Sequence, residues 1–218
     1  MPDWVSSVTT ETIHSASSFG ATIDKKSVDD EATVNAALIT FANGFPLFGL
    51  GGGSNGRWDL YPRPFHVRDA SNHEIAVCEA RVDGTYRLGP EIKAIVEVKP
   101  FRRFAENDAQ ITMQEGAQMA SWISECPPAQ GTDHNGTYRR LLVSQDRDDI
   151  YFTVCTFSDE YIRYIRREMS QTQMIASRKN KSGFMTMKRQ GPYKLGDPTM
   201  MRSVSKIILA FCLQGSLD

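Results

Sequence analysis

Arg81-Val82-Asp83-Gly84, followed by Lys93-Ala94-Ile95-Val96-Glu97-Val98-Lys99-Pro100, is the stretch whose reading decides the fold. From residue 74 the pattern alternates with period two. Ala76, Cys78, Ala80 and Val82 take one side, and Ile75, Val77, Glu79, Arg81 and Asp83 the other. That is the signature of a strand with one apolar face. A turn is expected at Asp83-Gly84 and another at Leu88-Gly89-Pro90. Residues 93–99 then form a second strand, with Ala94, Val96 and Val98 on one face and Ile95, Glu97 and Lys99 on the other. Antiparallel pairing of these two strands through residues 84–92 would bring Asp83 toward Glu97. Two carboxylates and the Val98 carbonyl make a hard-oxygen set suited to Mg2+ or Mn2+. A lysine beside them can orient water and stabilise charge on a phosphate. Taken singly, Glu-x-Lys on a strand is also an ordinary surface ion pair, and an aspartate at a turn an ordinary turn residue.

Elements on either side extend this reading. Val34, Ala37, Leu38 and Phe41 recur at helical spacing, predicting a helix over residues 29–43 that Ser27 caps and Gly44 and Pro46 end. Residues 106–125 predict a second helix. Met113, Gly116, Ala117 and Ala120 form a small apolar stripe for close packing, and Gln114, Gln118 and Trp122 another stripe. Residues 138–144 and 150–157 predict a β-hairpin. Ser158 caps a basic helix over about 159–170, residues 171–192 are irregular or partly stranded, and Asp197-Pro198 opens a last helix to about Leu213. The sum is an α/β domain: a small central mixed sheet flanked by helices. Residues 1–26 form an N-terminal extension and 27–218 a single domain, whose basic part, 159–218, is a subdomain or a wing. The glycine-rich run at 49–56 lacks the Gly-Lys-Ser/Thr of a phosphate loop and reads as a plain loop.

In these two strands and the glutamine helix the chain resembles the PD-(D/E)XK nuclease superfamily. Asp83, fourteen positions before Glu97 in Glu97-Val98-Lys99, matches its signature, and Gln118-Met119-Ala120-Ser121-Trp122 is similar to its Gln-x-x-x-Tyr helix. The run Glu97-Val98-Lys99-Pro100-Phe101 is closest to the nuclease-like domains common in fungal genomes. Val82 stands where the family name has proline, and Trp122 where the helix motif has tyrosine. The resemblance implies a restriction-endonuclease-like core and a metal-dependent phosphodiesterase acting on DNA or RNA. Asp83, Glu97 and the Val98 carbonyl would hold Mg2+ or Mn2+. Lys99 would position the water, and Gln118 or Gln114 would steady the water or the phosphate. Glu31 on the first helix, with Asp30 in reserve, would add a metal contact. The alternative is a nuclease-fold module with little or no catalysis that binds nucleic acid or a protein partner.

Charge divides the chain. Of 218 residues, 1–158 carry 14 Lys and Arg against 21 Asp and Glu, while 159–218 carry 11 against 5. Arg163, Arg166, Arg167, Arg178, Lys179, Lys181, Lys188 and Arg189, interleaved with aromatic residues, could track a phosphate backbone. They could equally be a solvated face that offsets the acidic front. The four cysteines and four histidines match no zinc spacing, and reduced thiols are expected. No apolar run is long enough to span a membrane. The first residues lack a secretory pattern, so an intracellular chain, cytoplasmic or nuclear, is expected. The run Arg178-Lys179-Asn180-Lys181 could be a nuclear signal, but short basic runs are common and it reads as an ordinary one.

Overall fold

The computed structural model describes residues 25–46, 56–69, 72–128, 136–180 and 183–215. Most of the N-terminal extension, most of the glycine-rich run, and Lys181 lie outside them. In chain order the elements are α1 (Lys25–Gly44), β1 (Gly56–Asp59), β2 (Arg63–Asp69), β3 (Asn72–Val82), β4 (Gly84–Leu88), β5 (Glu91–Lys99) and α2 (Ala105–Glu125). There follow β6 (Thr137–Asp146), β7 (Asp149–Ser158), α3 (Asp159–Ile165), α4 (Gln171–Asn180), β8 (Thr186–Lys194) and α5 (Pro198–Gly215). A six-stranded sheet runs β1-β4-β5-β6-β7-β8, and β2 and β3 form a separate hairpin. In the large sheet β5 and β6 are parallel and the other pairs antiparallel. The parallel pair needs a crossover, and α2 supplies it.

Both faces of β5 are covered, which is why its sequence is a nearly unbroken apolar run. Ala94, Val96 and Val98 pack with Leu38, Ile39 and Ala42 of α1 and Val204, Ile208 and Cys212 of α5. Ile95 faces the other way, onto Met119, Trp122 and Ile123 of α2 and Phe65 and Val82 of the hairpin. The expected faces of this strand are therefore those observed. Asp197 opens α5 as expected, its Oδ1 accepting from the N–H groups of Thr199 at 2.8 Å and Met200 at 3.2 Å. The basic C-terminal part is integral to the fold, since β8 is the edge of the large sheet and α5 packs into its core. The described cysteines are all free thiols. No helix among the described residues is long and apolar enough to cross a membrane.

Several expectations need correction. The strand ending at Val82 does not pair with β5. Asp83 joins β3, in the hairpin, to a short strand β4, and β4 pairs with β5 from Gly84 opposite Val96. Asp83-Gly84 is thus a change of sheet, too local to be told from a turn by periodicity. Ser27 lies inside α1, which starts at Lys25. The basic helix ends at Ile165, and Arg167 takes a φ of 56°. Residues 171–180 form α4, and β1 and β2 have no counterpart in the sequence reading. On α2 the stripe expected to pack faces solvent, with Met113 75% exposed. Ile111, Glu115, Gln118, Met119, Trp122 and Ile123 face inward instead. Four polar residues on the buried face, Glu115, Gln118, Ser121 and Ser124, hid it from a hydrophobic pattern.

Gly84 is required by close approach. A Cβ there would lie 2.6 Å from the Asp59 carbonyl oxygen. Gly84→Ala is expected to push β1 away from β4 and to cost about 1–3 kcal/mol in urea denaturation. An unchanged midpoint would refute this account of the β1–β4 contact.

Candidate functional site

The large sheet brings chemistry together at the C-terminal end of β5. Gly84 opposite Val96 sets the register, and the Asp83 N–H donates to the Val96 carbonyl at 2.9 Å. Asp83 therefore sits just before the start of β4. Its Oδ2 accepts from the Val98 N–H at 2.8 Å, and its carboxyl group is within hydrogen-bonding reach of Glu97. A residue's N–H and C=O leave a strand on the same side. The Val98 carbonyl thus also points to the side where β4 has ended, while its side chain is buried against α1 and α5. Helix α1 closes this side. Asn35 donates to the Asp83 carbonyl at 3.0 Å. Glu31, one turn earlier, is near enough for both Lys99 and Asp83 to act on its charge.

Glu97 and Lys99 share the face of β5 that α2 covers. Glu97 is 2% exposed, and both of its oxygens accept hydrogen bonds. Oε1 takes the Lys99 ammonium and the Gln114 amide; Oε2 takes the Gln118 amide. Gln118 Nε2 also donates to the Arg81 carbonyl at 2.8 Å. Sequence spacing alone left two glutamines competing, and the structure sends both to Glu97.

The electrostatics are those of too many anions for one cation. Burial, and then the charge of Asp83, push the Glu97 carboxyl up to about 8. Burial raises Asp83 as well. It also raises Glu31, with Lys99 opposing and Asp83 adding. Burial by itself would lower Lys99, but the charges of Glu97, Asp83 and Glu31 outweigh it and raise it. A divalent cation among these oxygens would relieve the surplus, and the donor set is of the right hardness. Among the described residues no three His, Cys, Asp or Glu side chains form a ready metal cage. Lys99 is seated on one Glu97 oxygen and Gln118 on the other, so a cation would have to share or exchange one of them.

A second buried network lies beside the first and was not foreseen. Arg103 follows β5, and its side chain is 4% exposed. It donates to Asp146 Oδ2 at 2.6 Å and to Glu115 Oε1 at 2.6 Å, and stacks 4.9 Å over the ring of Tyr151. Asp146 pairs in register with Lys99, so this network ties α2 and β6 to the end of β5. Glu115, an acidic residue in helical register with Ile111, Met119 and Trp122, was the available signal.

The basic residues do not gather at the carboxylates. Helix α3 starts from Ser158, paired with Thr137 at the end of the sheet away from Lys99 and Asp146. Strand β6 puts about 30 Å between those ends. Arg163 and Lys179 are exposed, on α3 and α4. Arg166 pairs with Glu168 at 3.1 Å, and Arg178 reaches the Tyr164 hydroxyl at 3.3 Å. Arg167 lies between these two helices. Only β8 runs back toward the site. It carries the exposed Lys188 and also Arg189, which pairs with Asp108 at 2.9 Å at the start of α2.

The fold and site together define a mixed α/β protein with a buried carboxylate–lysine cluster at the end of a central strand. No family model, no curated protein and no solved structure matches this chain.

Proposed function

We propose that the chain is a metal-dependent nuclease of the PD-(D/E)XK type, hydrolysing phosphodiester bonds of DNA or RNA. The observation that carries this reading is the meeting of Asp83, Glu97, Lys99 and the Val98 backbone at one sheet end, with Glu31 delivered by a different helix. Such a set serves no packing purpose, and gathering like charges in a buried place raises the free energy of the fold.

Asp83, Glu97, Glu31 and the Val98 carbonyl would hold Mg2+ or Mn2+. The ion supplies Lewis-acid activation of the phosphate and acidifies bound water. Lys99 would orient an attacking water and offset charge building on the phosphate oxygens. Gln118, fully buried, holds Glu97 in place. Gln114, on the solvent side of α2, is free to exchange Glu97 for the water or the phosphate. Of the basic residues, Lys188 and Arg189 on β8 are the ones placed to guide a strand toward this end.

A second reading, a nuclease-fold module that binds without cutting, is favoured by one observation: both Glu97 oxygens already have protein donors. One experiment separates the two readings. Thermal melting with and without Mn2+ is run on the wild type and Asp83→Asn, beside cleavage of labelled single- and double-stranded oligonucleotides. The nuclease reading expects Mn2+ to raise the wild-type Tm, through binding to the folded state, with no shift in Asp83→Asn, and Mn2+-dependent cleavage by the wild type alone. Equal melting in both proteins with no cleavage would leave the binding module.

A further inference from the structure

Arg147 stands at the corner where β6 turns into β7, in a two-residue loop that ordinarily selects Asn or Gly. Its φ is 60°, a left-handed conformation that disfavours a long side chain. The corner is held from three sides. The Arg147 N–H donates to the Lys99 carbonyl at 2.8 Å, the buried Gln145 amide donates to the Arg147 carbonyl at 2.7 Å, and Arg102 grips Asp148 with two nitrogens. Strain that the surroundings enforce in this way marks a place where the side chain has a use.

The local charges point to that use. Each aspartate of the corner already has a cation: Arg103 on Asp146, Arg102 on Asp148, and Lys194 on Asp149. Arg147 is exposed, and among the described residues its guanidinium has no partner. Its backbone is hydrogen-bonded to Lys99, whose ammonium group sits on Glu97. A guanidinium carried on a fixed backbone there suits the planar, two-oxygen recognition of a phosphate.

We infer that Arg147 anchors a backbone phosphate of the nucleic acid beside the one that is cut. The inference rests on the nuclease reading for its ligand but has its own readout, binding. Affinity for a fluorescein-labelled oligonucleotide is measured by anisotropy across a salt series in a Lys99→Ala background, so that the strand is not consumed. Adding Arg147→Gly is expected to weaken binding about tenfold and to reduce the slope of log affinity against log salt by about 0.7–0.9, one phosphate contact. Glycine suits the left-handed corner, so Tm should hold or rise. Arg147→Lys should keep most of the affinity.

Unchanged affinity and salt slope in Arg147→Gly overturns the inference, as does absence of oligonucleotide binding in the parent protein. Cleavage by the wild type with Arg147-independent binding discards the anchor and keeps the nuclease. Arg147-dependent binding with no cleavage by the wild type in Mg2+ or Mn2+ keeps the anchor and discards the nuclease.

Discussion

Lys99→Ala is expected to lower the rate of metal-dependent strand cleavage by about 10²–10³-fold, the loss typical of removing one preorganised donor from a reacting oxyanion. The same change should let the divalent ion act at a lower concentration. Lys99 sits on Glu97, and its side chain is 14% exposed, so it is the cation that now offsets Glu31, Asp83 and Glu97. Without it three carboxyl groups face one another with no counter-charge, and a metal ion gains what the ammonium loses. Cleavage rates measured across a Mn2+ titration would show the plateau falling and the midpoint moving down. A lysine that only held Glu97 in place would lose rate and metal affinity together, and that result would reduce Lys99 to a structural ion pair.

Arg103→Met should be the most damaging single change to stability, about 3–5 kcal/mol, because it strips the cation from two carboxylates that are almost fully buried. Asp146 is 0% and Glu115 2% exposed, and neither can reach water unless α2 lifts from the sheet. In a chain of this size the expected fall in Tm is on the order of 10 °C. Neutralising the orphaned partners should recover much of it, since a buried ion pair gains little over well-packed neutral groups. Urea denaturation of Arg103→Met, and of Arg103→Met with Asp146→Asn and Glu115→Gln, measures both numbers. If the triple variant is no more stable than the single one, the loss comes from packing over Tyr151 and not from buried charge.

Some of this was legible in the chain itself. The alternation of residues 94–99 assigned these side chains of β5 to their observed faces, because strand geometry has a period of two whatever lies beyond it. The hairpin expected over residues 138–144 and 150–157, which the structure extends to 137–146 and 149–158, and the N-cap of the last helix were readable for the same local reason. The spacing between Asp83 and Glu97 was visible too, although the expected pairing was one strand off. The carboxylates meet through β4, five residues long, which no periodicity resolves.

The inward face of α2 was misread because Glu115 and Gln118 are buried only by virtue of partners on other elements, Arg103 and Glu97. The same holds for the basic residues. Their count and order are properties of the sequence, but whether they stand beside the carboxylates depends on which way β6 and β7 run.

The sequence by itself determined the local elements, the two faces of the central strand, and the kinds of donor that stand near one another along the chain, since these follow from backbone geometry and side-chain chemistry over a few residues. Only the tertiary structure decided that Glu31 stands near Asp83 and Lys99, that Arg103 is sealed under α2, and that the exposed Arg147 guanidinium is without a partner among the described residues. Each of those depends on contacts between residues far apart in the chain, and burial and charge pairing take their values only once those contacts have formed.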